Sequence, residues 1–166
     1  LRFVLRKSRS SYSVHERVEL REKFELENDF TNPKVFGKLH EDIRQRREKL
    51  VELLAQREDK FLIGYGAPAK LVTFVFQMGI QDFQIEYVID DNKMKQNFFI
   101  PGVGYEIISS ARMKQTIQKK GVSEGLSIIL FPWNLSEEIV IKMKSWVPPN
   151  TIILRAFPRV YKEQIS

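Results

Sequence analysis

The sequence predicts an α/β fold: a parallel sheet of about four to five strands with flanking helices, preceded by an N-terminal helical connector. Three observations predict it. From residue 60 onward, short apolar runs alternate with helical segments, which is the pattern of strand–helix–strand units. The run Phe61-Leu62-Ile63 leads straight into Gly64, Gly66 and Ala69 at G-x-G-x-x-G/A spacing. A second apolar run, Ile85–Ile89, then ends in Asp90-Asp91, about where a Rossmann-like unit places its ribose-binding acid. Leu126–Phe131 is a continuous apolar strand, as expected where both faces of a sheet are covered.

Composition narrows the class. The chain of 166 residues is long enough for one domain with a real core, or a domain plus an arm, and an apolar fraction of 43% supports a packed globule. No apolar run approaches the roughly 20 residues of a membrane span, and no basic start precedes an apolar core as in a signal peptide. The expectation is a cytoplasmic protein with no membrane partner. Zero cysteines exclude disulfides and Cys-ligated zinc within this chain, and two well-separated histidines offer no metal-ligand spacing, so no metal is expected here. The net charge of +6 is shared evenly, +3 up to residue 58 and +3 beyond it. Without a basic block, this reads as a solvated surface, and no nucleic-acid partner is expected.

Each element has its own signal. Residues 1–12 read as an end strand and linker from an upstream domain: Leu1–Arg6 alternates like an edge strand that begins in the middle of something, there is no initiator Met, and a basic, Ser-rich connector follows. Residues 13–58 read as a helical connector. Ser13 with Glu16 forms a capping box for a helix over 14–27, with Val14, Val18 and Phe24 on one side. Pro33 opens a second helix to about Arg57, striped with Phe36, Leu39, Ile43, Leu50, Leu53 and Leu54, and Arg44, Arg46 and Arg47 fall on its solvated face. His15 and His40 have no partner at catalytic spacing.

Residues 59–166 carry the α/β pattern. Pro68 suits a first helical turn, so helix is expected at once after the glycines, over Ala69–Met78, with Gly79 as its C-terminal cap. Strand Gln84–Ile89 is followed by an irregular loop, Lys93–Gly104. Ser109 or Ser110 opens a helix that runs to Lys120 and stops at Gly121. After strand Leu126–Phe131 and Pro132-Trp133-Asn134, Asn134 with Glu137 predicts a capping box and a helix over 135–146. Pro148-Pro149 ends it, and Thr151–Phe157 is the last strand before a polar tail.

With right-handed crossovers the strand ends face one way. Gly64–Lys70, Asp90–Gln96 and Pro132–Asn134 then converge on one crevice. The glycine turn could cradle an anion, and Lys70 either adds an ammonium to that cradle or is a surface lysine. Asp90 either accepts from a ribose hydroxyl or caps the next turn. Neighbouring strand-end residues point oppositely, which argues against Asp90 and Asp91 as a catalytic pair. Trp133 either stacks on a base or sugar ring or anchors its loop, and Tyr65 either faces the crevice or packs beneath it. No activated nucleophile is identifiable. The residues alone describe an anion- or nucleotide-binding domain with no catalytic group.

With these residues in place, the chain resembles the C-terminal domain of the sugar C-methyltransferases, which methylate a ring carbon of nucleotide-linked deoxyketosugars using S-adenosylmethionine. The matching blocks stand in the family's order: Gly64-Tyr65-Gly66-Ala67-Pro68-Ala69-Lys70, then Tyr87-Val88-Ile89-Asp90-Asp91-Asn92 with Lys95-Gln96, then Pro101-Gly102, then Pro132-Trp133-Asn134 with Glu137-Glu138-Ile139, then Pro158-Arg159. The resemblance implies a Rossmann-like C-terminal domain whose partners are a sugar nucleotide and an upstream methyltransferase domain of the same protein. It implies that S-adenosylmethionine, a structural zinc and the catalytic His and Tyr belong to upstream domains, so that this chain holds no cofactor and is inactive alone. The substrate-binding residues it implies are Gly64, Tyr65, Gly66, Ala67, Lys70, Asp90, Asn92, Lys95, Gln96, Trp133 and Asn134. Two places depart from the family: Leu71-Val72 stand where it usually has Gly-Asn, and Val103-Gly104 where it tends to have Thr-His. Two other readings stay open: an NAD-type dinucleotide-binding domain of an oxidoreductase, and a non-catalytic structural or dimerisation domain whose crevice is plugged by Phe98, Phe99 or Trp133.

Overall fold

The computed structural model describes residues 11, 13–30, 32–59, 61–122 and 126–165. The expected edge strand over residues 1–6 and most of the basic connector lie outside them. The chain divides into two compact units, Leu1–Glu41 and Asp42–Ser166.

In the first unit α1 spans Glu16–Glu27. It begins two residues later than the Ser13 capping box predicts, because His15 takes an extended conformation and its imidazole Nδ1 accepts from the Arg17 N–H at 3.1 Å. His15 is therefore a helix cap. No residue of α1 is buried, and Val18 and Phe24 are exposed. The next helix, α2 (Lys34–Ala55), follows Asn32, whose side-chain oxygen accepts from the Lys34 N–H. Of its predicted stripe only Leu50, Leu53 and Leu54 are buried, while Phe36 and Leu39 are exposed.

The second unit is built on β1 (Leu62–Tyr65), β2 (Val88–Ile89), β3 (Ile107–Ile108), β4 (Ser127–Leu130), β5 (Ile152–Arg155) and β6 (Tyr161–Gln164). Among the described residues they form one six-stranded sheet in the order β3-β2-β1-β4-β5-β6, with only the β5–β6 pair antiparallel. The α/β reading holds, and two strands join those the pattern marks. β3 emerges from the Pro/Gly-broken stretch, and β6 is the stretch read as a polar tail. The strand expected over Gln84–Ile89 is regular only at Val88–Ile89.

Alternation along the strands gives the sheet two apolar faces. Leu62 and Ile129 point to one, with Leu50 and Leu54 of α2 and Leu71 and Val75 of α3 (Leu71–Gln77). Ile63, Tyr65, Ile128 and Leu130 point to the other, with Met113 and Ile117 of α4 (Ser110–Lys120) and Ile139 and Met143 of α5 (Ser136–Met143). α4 is capped as expected, Ser109 Oγ accepting from the Arg112 N–H and Gly121 closing it at φ 64. Arg46, expected on a solvated face, instead stacks 5.4 Å over Phe157 and donates to the Pro158 carbonyl. No helix among the described residues is long and apolar enough to cross a membrane.

Two helix starts differ from expectation. Pro68, Ala69 and Lys70 form a turn, with the Leu71 N–H bonded to the Pro68 carbonyl, and helix starts only at Leu71. Asn134 does not cap α5: Trp133–Leu135 is a 3₁₀ turn, and the Glu137 carboxylate is drawn to Arg155 on β5. Arg155 is 4% exposed, and its guanidinium also donates to Ser136 Oγ and Glu163. Glu137 gains a charge-assisted bond there that reaching back to the Asn134 N–H could not match.

Candidate functional site

The order of the sheet reverses at β1: the chain adds β2 and β3 on one side, then crosses to β4 on the other. Ligands of open α/β sheets bind outside the carboxyl ends of the strands at such a point. A crevice of about 320 Å³ opens there, bounded by the glycine turn, Asp90, Asp91, Pro132 and the first turns of α5.

The glycines are required first by packing. A Cβ on Gly64 would collide with the ring of Phe131 and lie 3.1 Å from Val88. One on Gly66, whose φ is +83°, would sink into the ring of Pro132. The end of β4 therefore lies directly on the turn after β1, as only glycine permits. The amides next to the second glycine are already engaged. The Gly66 N–H donates to the Ile89 carbonyl at 2.6 Å, the Ala67 N–H donates to Asp90 Oδ2 at 2.8 Å, and Pro68 has no N–H. Asp90 also accepts from the Asn92 N–H at 2.9 Å and from Lys95 Nζ at 3.1 Å, while Lys95 donates in addition to the Ala67 carbonyl. Asp90 is thus the resident anion of the glycine turn.

Asp91 faces a different set of partners, as expected of neighbouring strand-end residues. It accepts from Tyr65 Oη at 3.0 Å, Lys142 Nζ at 2.7 Å and Ser110 Oγ at 3.3 Å, tying β1, α4 and α5 to the end of β2. Burial alone would raise its pKa, but the hydrogen bonds from Lys142 and Tyr65 prevail and hold it below the ordinary aspartate value. The Tyr65 phenol is pushed up to about 12, chiefly by burial, so its proton stays on the oxygen that faces Asp91.

Across Pro68 and Pro132, which border both hollows, lies a groove of about 350 Å³. Its floor is Phe74, Phe131 and Phe157, with Phe74 edge-on to the other two at 5.5 and 6.1 Å, and its rim carries Lys70, Trp133 and Asn134. The eleven expected ligand residues are accordingly divided. Tyr65, Gly66, Ala67, Asp90 and Lys95 line the crevice, and Lys70, Trp133 and Asn134 line the groove. Gly64, Asn92 and Gln96 line neither: Gly64 is buried in β1, Asn92 accepts from the Met94 N–H in its own loop, and Gln96 donates to the Asp90 carbonyl. Phe98 and Phe99 are each 65% exposed and Trp133 58%, so none of the three plugs the crevice. Among the described residues, no cluster of three or more His, Cys, Asp or Glu could hold a metal ion.

The sequence model of the C-methyltransferase C-terminal domain matches residues 1–158. The chain belongs to that family. No curated protein matches this C-methyltransferase C-terminal domain. Among solved structures, UDP-D-quinovosamine 4-dehydrogenase from Vibrio fischeri is similar over 65% of this chain and 94% of its own, at 15% identity and a TM-score of 0.44.

Within the domain, sequence reasoning passed over Glu138 and Lys142, which line the crevice, and Ser110, which donates to Asp91. The i, i+4 spacing of Glu138 and Lys142 on the helix after Pro132 is the signal that puts both on one face. The two departures from the family meet in space: the Val72 side chain closes on Gly102, and Val72 and Val103 pack against the same apolar cluster.

Proposed function

We propose that this C-methyltransferase C-terminal domain is the substrate-side domain of a SAM-dependent enzyme that methylates a ring carbon of a nucleotide-linked deoxysugar. The observation that carries the reading is the polar crevice at the point where the sheet order reverses, in a chain whose family is the C-methyltransferases. Carboxylates and ammonium groups spaced around an open hollow suit a polyhydroxylated ring, which donates to the acids and accepts from the lysines. In this reading residues 13–58 connect the domain to an upstream methyltransferase domain of the same protein. S-adenosylmethionine, a structural zinc and the catalytic groups sit there, and the protein works in the cytoplasm. The chain contributes substrate binding and exclusion of water, and it transfers no methyl group alone.

The NAD-type alternative is disfavoured by the glycine turn itself, where Asp90 and the imide nitrogen of Pro68 leave two of the amides a pyrophosphate needs without a free N–H. Calorimetric titration of the chain with a deoxythymidine-diphosphate sugar, NAD and S-adenosylmethionine tests the reading. Binding confined to the sugar nucleotide is expected. Selective binding of NAD would turn the assignment toward an oxidoreductase, and absence of sugar-nucleotide binding would overturn it.

A further inference from the structure

The two hollows differ in charge, and the difference orients a ligand. The crevice presents three carboxylates, Asp90, Asp91 and Glu138, against two ammonium groups. Both ammonium groups are engaged, Lys95 with Asp90 and Lys142 with Asp91. A diphosphate placed there would meet a surplus of negative charge, with the Gly66 and Ala67 amides already bonded within the chain. The groove has the opposite character. Its one charged lining group is Lys70, exposed and without an ion-pair or hydrogen-bond partner for its side chain among the described residues. Beside it stand the aromatic floor, the exposed indole of Trp133, and Asn134, whose side chain makes no hydrogen bond among the described residues. An apolar aromatic surface with one free cation and a few free polar groups suits a planar base joined to an anion.

Resting on the nucleotide-sugar reading above, we infer that the ligand straddles the Pro68–Pro132 ridge. The sugar ring lies in the acid-lined crevice, and the nucleoside diphosphate lies in the aromatic groove, with its base against Trp133 and its phosphates on Lys70 instead of on the glycine turn. Glu138, with no partner of its own among the described residues, is then a specificity group for the sugar and is indifferent to the nucleotide.

The chain has two tryptophans, so Trp146→Phe leaves Trp133 as the sole indole reporter. Deoxythymidine diphosphate and deoxythymidine-diphosphate glucose are titrated into this variant by fluorescence and into the unsubstituted chain by calorimetry. The expected result is quenching of Trp133 by both. Lys70→Ala should weaken both by about tenfold or more, the loss of one charge-assisted contact. Glu138→Gln should weaken only the sugar-bearing ligand. If the unsubstituted chain binds both ligands and Lys70→Ala and Trp133→Ala each leave affinity within about twofold, the straddling arrangement is wrong while the nucleotide-sugar reading stands. If the unsubstituted chain binds neither, the nucleotide-sugar reading fails and takes this inference with it.

Discussion

On one side of the Pro68–Pro132 ridge both lysines are bonded to carboxylates, and on the other the single lysine has no partner among the described residues. The side that is richest in charge is the one whose charges hold the fold together. Asp90 and Lys95 close the glycine turn, while Asp91 and Lys142 join β2 to α5. The lesson concerns where recognition is to be sought. A cluster of ionisable residues at the end of a sheet can be spoken for by the chain itself, and the group left for a phosphate can be an isolated one beside aromatic rings.

The largest expected effect comes from removing the ridge. In Gly66→Ala the new Cβ overlaps the Pro132 ring, and the positive φ is strained for any L side chain. A loss of about 3 kcal/mol is expected in chemical denaturation, combining backbone strain with overpacking. Stability equal to the parent chain would show that Pro132 does not rest on the turn, and the two hollows could no longer be treated as separate. Next in size is Asp90→Ala. It strips an acceptor from the Ala67 N–H, the Asn92 N–H and Lys95 at once. About 2 kcal/mol is expected for leaving part-buried donors unsatisfied, together with faster hydrogen exchange at the Ala67 amide. The comparison is sharpened if nucleotide binding survives this change, since the groove does not depend on Asp90. It breaks if a diphosphate binds the variant more tightly, because the freed turn would then be the anion site.

What could be read in advance follows the range of the interaction. Glycine spacing, the alternation of strand and helix, and the caps at Ser109 and Gly121 are local, and the α/β fold with its helices on two faces follows from them. β3 has only two residues and follows closely on the Pro/Gly-broken loop, too short to show an apolar run of its own. β6 is a mostly exposed edge strand, so it lacks the apolar signature of the buried ones and looks like a tail. The cap assigned to Asn134 failed because a guanidinium 18 residues away from Glu137 competes for it. For the site, topology brings the expected loops to one edge, but the ridge that parts them is a contact between Gly66 and Pro132, 66 positions apart, which no spacing rule reports. Asp90 was placed by its distance from the glycines, but that distance does not say whether its partner is a ligand or the turn itself.

The smallest effect tests whether the crevice's charges are truly engaged, through pH. Asp91 has its pKa held below the ordinary value of 3.8, since donors from Lys142 and Tyr65 outweigh burial. A carboxylate depressed in the folded state adds stability above its unfolded pKa and loses it as pH falls through the folded value. The unfolding free energy of the parent chain should therefore exceed that of Asp91→Asn by a constant margin at neutral pH. That margin should shrink once the pH drops below about 4, where the carboxylate takes up a proton and the ion pair disappears. The margin stays below about 1 kcal/mol, because the Asp91 side chain is 49% exposed and solvent screens the pair. Raising the salt concentration should reduce it further. Tyr65→Phe removes only the phenol donor, so it should diminish the acid-dependent part without abolishing it, Lys142 remaining in place. A margin unchanged down to pH 2 would mean that Asp91 is not paired in the folded chain. Lys142 would then be a second cation open to a ligand, and the charge contrast between crevice and groove would disappear.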